Sequence, residues 1–172
     1  MNEHYPNRKH PRLPNYDYNT CGAYFVTICT LGRKCILSQI SNPNDPILVG
    51  RGLAPAAVTL SRIGNIVKDQ LAHLEDRYSN IKIDRYVIMP NHIHILLRIE
   101  QETAGASPRP TLSDAICSFK SLSTRLAGRG QIFQASFYDH VIRDMNDYLA
   151  VWQYIDENPA KWELDEYYKS IT

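Results

Sequence analysis

No CxxC pair links the four cysteines, Cys21, Cys29, Cys35 and Cys117. In a domain of this size they read as reduced packing residues, which argues against a disulfide framework or a zinc knuckle. There is also no apolar run long enough to span a bilayer and no signal-peptide pattern at the start, so the expected compartment is the cytoplasm, with no membrane partner. Charge of either sign is nearly balanced: 19 Lys and Arg face 18 Asp and Glu, a net charge of +1. Bulk electrostatics therefore announces no nucleic-acid partner. The excess is local, since Arg8, Lys9 and Arg12 face the single acid Glu3 in the first dozen residues. What remains is ordinary globular composition, 44% hydrophobic and 22% charged over 172 residues, enough for one domain with a proper core.

Residues 1–23 are rich in Pro, Asn, Tyr and basic side chains and read as an extended arm. Tyr24 to Thr30 is dense in β-branched and aromatic residues and predicts a strand. Residues 41–56, with three prolines and two glycines, read as a loop. Ile63, Ile66, Val67, Leu71 and Leu74 recur at helical spacing behind the N-cap candidate Ser61. Two strands, Ile81 to Met89 and His92 to Ile99, are separated only by Pro90-Asn91, which permits a hairpin and no crossover. A second helix is predicted over Ser113 to Leu126, a short strand over Phe137 to Arg143, and a third helix from Met145 to about Glu157, limited by Pro159. This order is the split βαβ pattern: an α+β, ferredoxin-like antiparallel sheet with an additional C-terminal helix, its first and third strands central. The division is a single domain over 1–172, with an arm at 1–23, a core at 24–160 and a tail at 161–172.

His92 and His94 stand two apart in a strand, so their imidazoles project from one face and offer two sites to a transition metal. An isolated HxH is a weak signal, and a pair of polar strand residues is the bland reading. Tyr154 and Asn158 lie four apart on the last helix and face the same way, a phenol beside an amide oxygen that can complete a metal site. Packing by Tyr154 and helix closure by Asn158 are the alternative. Together the four could hold an ion against a phosphate and aim a tyrosine oxygen at phosphorus, giving a covalent phosphotyrosine.

The chain resembles the HUH tyrosine transposases of the single-strand type, and most closely the REP-associated tyrosine transposases. The resemblance rests on the arm Pro11 to Tyr18, the strand Tyr24 to Thr30, the hairpin Tyr86 to His94 with its Pro90-Asn91-His92-Ile93-His94 core, Ser118 to Ser121, Tyr138 to Arg143, and Tyr154 to Pro159. It implies that His92, His94 and Asn158 bind the metal and that Tyr154 is the nucleophile, attaching to a 5′ phosphate and freeing a 3′ hydroxyl. It implies a transposase that nicks and joins single-stranded or hairpin DNA, such as REP-like repeats, with Mg²⁺ or Mn²⁺. By ligand type alone two imidazoles and an amide oxygen suit Zn²⁺ or Mn²⁺. Arg8, Lys9, Arg12 and Lys120 are candidates for phosphate contacts, with plain surface charge as the alternative. Monomer and homodimer are both compatible with the sequence. Two other functions compete: a non-catalytic module stacking bases on Tyr24 and Tyr86, and a small hydrolase whose histidines activate water.

Overall fold

The computed structural model describes residues 21–41, 57–100 and 111–168. The basic arm with Arg8, Lys9 and Arg12, and nearly all of the 41–56 loop, lie outside them. A four-stranded antiparallel sheet forms from β1 (Gly22–Cys29), β4 (Ile81–Ile88), β5 (His92–Ile99) and β6 (Tyr138–Val141), in the order β4-β5-β1-β6. The central pair is β1 and β5, the first and third strands of the βαββαβ series, as the split βαβ topology requires. The expected loop carries more structure than anticipated at its ends. β2 (Ser38–Ser41) and β3 (Ala57–Leu60) pair as a separate two-stranded sheet on either side of it. Its prolines and glycines masked the short flanking strands in the sequence.

The helices follow their end signals. Ser61 caps α1 (Arg62–Arg77), its side chain accepting from the Gly64 N–H. Thr111 and Asp114 make a reciprocal capping box at the start of α2 (Leu112–Ala127), and Gly128 ends that helix in the left-handed conformation that favours glycine. Asp144 caps α3 (Met145–Glu157), which runs into a 3-10 segment at Asn158–Leu164.

Strand alternation divides the core in two. Tyr24, Val26, Ile28, Ile93, Ile95 and Leu97 face α1 and α2 and build the main core. On the opposite face Leu96 packs with Val151 and Ile155 of α3, joined by Phe25, Val87, Tyr148 and Trp152. Both faces of the sheet are thus covered by helices. Tyr24 is fully buried, so of the two tyrosines considered for base stacking only Tyr86 is exposed. Among the described residues no helix is long and apolar enough to cross a membrane.

Candidate active site

β5 begins directly after the Pro90-Asn91 turn, and its first and third residues, His92 and His94, project onto the α3 face while Ile93 and Ile95 enter the main core. Both imidazoles are buried, and their Nε2 atoms stand 3.0 Å apart. The outer nitrogens are held separately: His92 Nδ1 pairs with Asn91 Oδ1 at 2.9 Å and His94 Nδ1 with Thr27 Oγ1 at 2.9 Å. Phe25 of β1 stacks on His94 at 5.1 Å between centroids.

Burial pushes the His94 imidazole down to about 3, and burial together with the neighbouring His94 and Arg33 holds His92 well below the usual histidine range. Both rings are neutral at physiological pH, the form a metal requires.

α3 crosses this face at a height set by Val151 and Ile155 against Leu96. The stripe Val151, Tyr154, Ile155, Asn158 follows the i, i+3, i+4, i+7 spacing of one helical face, so the packing that buries the aliphatic residues also aims the phenol and the amide at β5. Tyr154 is half-buried, and its hydroxyl lies 3.3 Å from His94 Nε2. Asn158 is buried; its Nδ2 donates to Asp165 Oδ2 at 2.8 Å, and its Oδ1 has no hydrogen-bond partner among the described residues.

Asp165, which sequence reasoning missed, follows the 3-10 turn. Its carboxylate is almost wholly shielded and places Oδ2 4.0 Å from His92 Nε2. Burial pushes its pKa up, against the opposing hydrogen bonds from the Tyr167 N–H and the Asn158 amide. One ligand atom each from His92, His94 and Asp165 fits within a span of 4.8 Å. Two neutral imidazole nitrogens and a buried carboxylate form a donor set suited to a divalent cation, and Asn158, hydrogen-bonded to that carboxylate, stands beside it. Leaving the Asn158 oxygen unpaired in a dry setting is costly.

Among solved structures, the chain is similar to a REP-associated tyrosine transposase bound to a REP hairpin, at a TM-score of 0.53 with 19% identity, over 81% of this chain and 67% of that one. The chain shares that protein's fold. A protein of Deinococcus radiodurans R1 provisionally classed as a transposase aligns more loosely, at a TM-score of 0.41 with 15% identity over 85% of this chain and 95% of that one. An uncharacterized protein of Haemophilus influenzae is 29% identical over 180 residues, spanning 94% of this chain and 93% of its own length. No family model matches the chain.

Within this fold, His92, His94, Tyr154 and Asn158 come together on one face of the sheet. Lys120 does not join them. It is buried on α2, its Nζ donates to the Ala135 carbonyl at 2.6 Å, and burial lowers its pKa. That ammonium holds the segment before β6. Asp165 left no periodic signal, because it follows Pro159 in an irregular segment assigned to the tail. The one available hint was a carboxylate seven residues beyond a candidate ligand.

Proposed function

We propose that the chain is a metal-dependent endonuclease and strand transferase of the HUH tyrosine transposase type, acting on single-stranded or hairpin DNA through a 5′-phosphotyrosine intermediate. The observation that carries this reading is the approach of the Tyr154 hydroxyl to within 3.3 Å of an imidazole whose Nε2 is itself 3.0 Å from that of His92. His92 and His94 would hold the ion, with oxygen from Asn158, Asp165 or both. The carboxylate adds a hard ligand to the two imidazoles and moves the preference from Zn²⁺ toward Mn²⁺ or Mg²⁺. When bound, the ion polarises a non-bridging oxygen of the scissile phosphate.

The remaining chemistry belongs to side chains. The Tyr154 oxygen attacks phosphorus, the bond from phosphorus to the 3′ oxygen breaks, the phenolic proton passes to solvent, and the departing oxygen takes up a proton as a 3′ hydroxyl. Attack by a second 3′ hydroxyl on the phosphotyrosine reverses these changes and joins the strands without an external energy source. A free phenol titrates near about 10, so at neutral pH the reaction would depend on a bound cation and a positioned substrate. Half-burial of Tyr154 leaves it open to substrate, whereas Tyr167, the other phenol beside the histidines, is buried with its ring 4.7 Å from His92 and Arg33 over its face at 4.6 Å. The REP hairpin held by the structural neighbour supports hairpin DNA as the substrate class.

An oligonucleotide carrying a hairpin should form a covalent adduct with the protein in Mn²⁺, visible as a shifted band under denaturing conditions. Tyr154→Phe should abolish the adduct with little change in folding or DNA binding. An adduct surviving that substitution would move the nucleophile to Tyr167, Tyr138 or Tyr148 and defeat the assignment.

A further inference from the structure

The Asn91 side chain, wholly buried in the turn before β5, takes no part in the chemistry above. Its Nδ2 faces two main-chain carbonyls, Tyr167 O at 2.7 Å and Arg33 O at 3.4 Å. Carbonyls only accept, so the orientation of the amide is decided: nitrogen toward the carbonyls, oxygen toward His92. Asn91 Oδ1 lies 2.9 Å from His92 Nδ1, and an amide oxygen only accepts. A neutral His92 must therefore carry its single proton on Nδ1, which leaves Nε2 as a bare lone pair aimed at His94 and Asp165. His94 is held differently. Its outer partner is the Thr27 hydroxyl, which can donate or accept and so allows either tautomer, while in the metal-free protein the bare His92 Nε2 at 3.0 Å sets the His94 proton on Nε2.

We propose that Asn91 is a positioning residue with two tasks: it locks His92 in the tautomer whose Nε2 is a ready metal ligand, and it pins the Tyr167 end of the segment bearing Asp165 against the same site. This rests on the metal reading of the proposed function and adds to it an asymmetry between the two histidines. One is preset by an amide. The other adjusts through a hydroxyl, moving its proton from Nε2 to Nδ1 as an ion arrives, with no net proton release from that ring. Partners behind metal-binding histidines typically change affinity by about 10–100-fold when removed.

Three readouts separate the tasks. Long-range nitrogen–proton NMR on histidine-labelled, metal-free protein reports each tautomer; His92 should be protonated on Nδ1. Asn91→Ala should weaken Mn²⁺ binding, followed by loss of the free-ion EPR signal, about 10–100-fold. Asn91→Asp keeps an acceptor for His92 but cannot donate to the Tyr167 carbonyl. It should retain the His92 tautomer while the Tyr167 amide, which donates to Asp165 Oδ1, exchanges with solvent faster than in the unsubstituted chain. A His92 protonated on Nε2 in the unsubstituted protein would overturn the proposal. So would a folded Asn91→Ala variant with unchanged Mn²⁺ affinity. An unsubstituted chain that binds no Mn²⁺, yet carries the His92 proton on Nδ1 and loses that tautomer in Asn91→Ala, would defeat the metal reading while supporting the tautomer lock.

Discussion

His94 sits between a hydroxyl, a phenyl ring and a second imidazole with almost no contact with water, and burial pushes its pKa down to about 3. In the unfolded chain the same group titrates near about 6.5. Between those values unfolding takes up a proton that the folded state refuses, so stability is complete above the unfolded value and falls as the pH drops toward the folded one. His92 acts in the same direction. Urea denaturation of metal-free protein at pH 7 and pH 5 should show a loss on the order of 2 kcal/mol from His94, with His92 adding to it. His94→Gln should lose less than the unsubstituted chain over that interval; an equal loss would place the titration elsewhere. At this scale the pair on β5 was legible, because strand period alone puts residues two apart on one face. The burial that neutralises them was not, since it depends on Phe25, Tyr154 and Tyr167 arriving from three other segments.

α1 shows how an element far from the chemistry supports it. A Cβ on Gly64 would stand 2.0 Å from the Leu37 carbonyl oxygen. That oxygen accepts from the Ser61 N–H at 2.9 Å, while the Leu37 N–H donates to the Pro90 carbonyl at 3.0 Å, one residue before Asn91. The first turn of α1 is thus pressed against the strand end that holds the turn before the histidines. Alanine inside a helix is ordinarily favoured over glycine by about 1 kcal/mol. Here the obstacle is main chain and cannot swing aside, so Gly64→Ala should destabilise by about 1–3 kcal/mol in urea titrations. A gain in stability would mean that the helix can shift without loss. The helix itself and its Ser61 cap were readable from periodicity and end chemistry. The close approach of Leu37 was not, because no local pattern records which backbone a glycine will touch.

For the whole molecule, an ion bound only by the folded state couples the site to global stability. Mn²⁺ at about 100 times its dissociation constant should add about 2.7 kcal/mol, near 5–10 °C in Tm for a chain of this size. EDTA should reverse the shift, and His92→Ala should erase most of it; an unchanged Tm on adding Mn²⁺ would count against the site. With a net charge of only +1, the proposed DNA contacts depend on local cations. Replacing Arg8, Lys9 and Arg12 together should reduce the slope of log affinity against log salt by about 2 for single-stranded DNA, measured by fluorescence anisotropy. An unchanged slope would remove the arm from the interface.

The sequence by itself determined the relations that run along the chain: two imidazoles on one strand face, a phenol and an amide on one helical stripe, and an element order that admits the split βαβ sheet. Periods of two and 3.6 residues are properties of the backbone and need no partner. Only the tertiary structure decided that α3 lies across the histidine face, that the chain returns after Pro159 to bring Asp165 beside His92, and that Lys120 turns inward. Those outcomes come from burying Val151 and Ile155 on Leu96 and from satisfying buried amides and carbonyls, a competition among segments far apart in sequence.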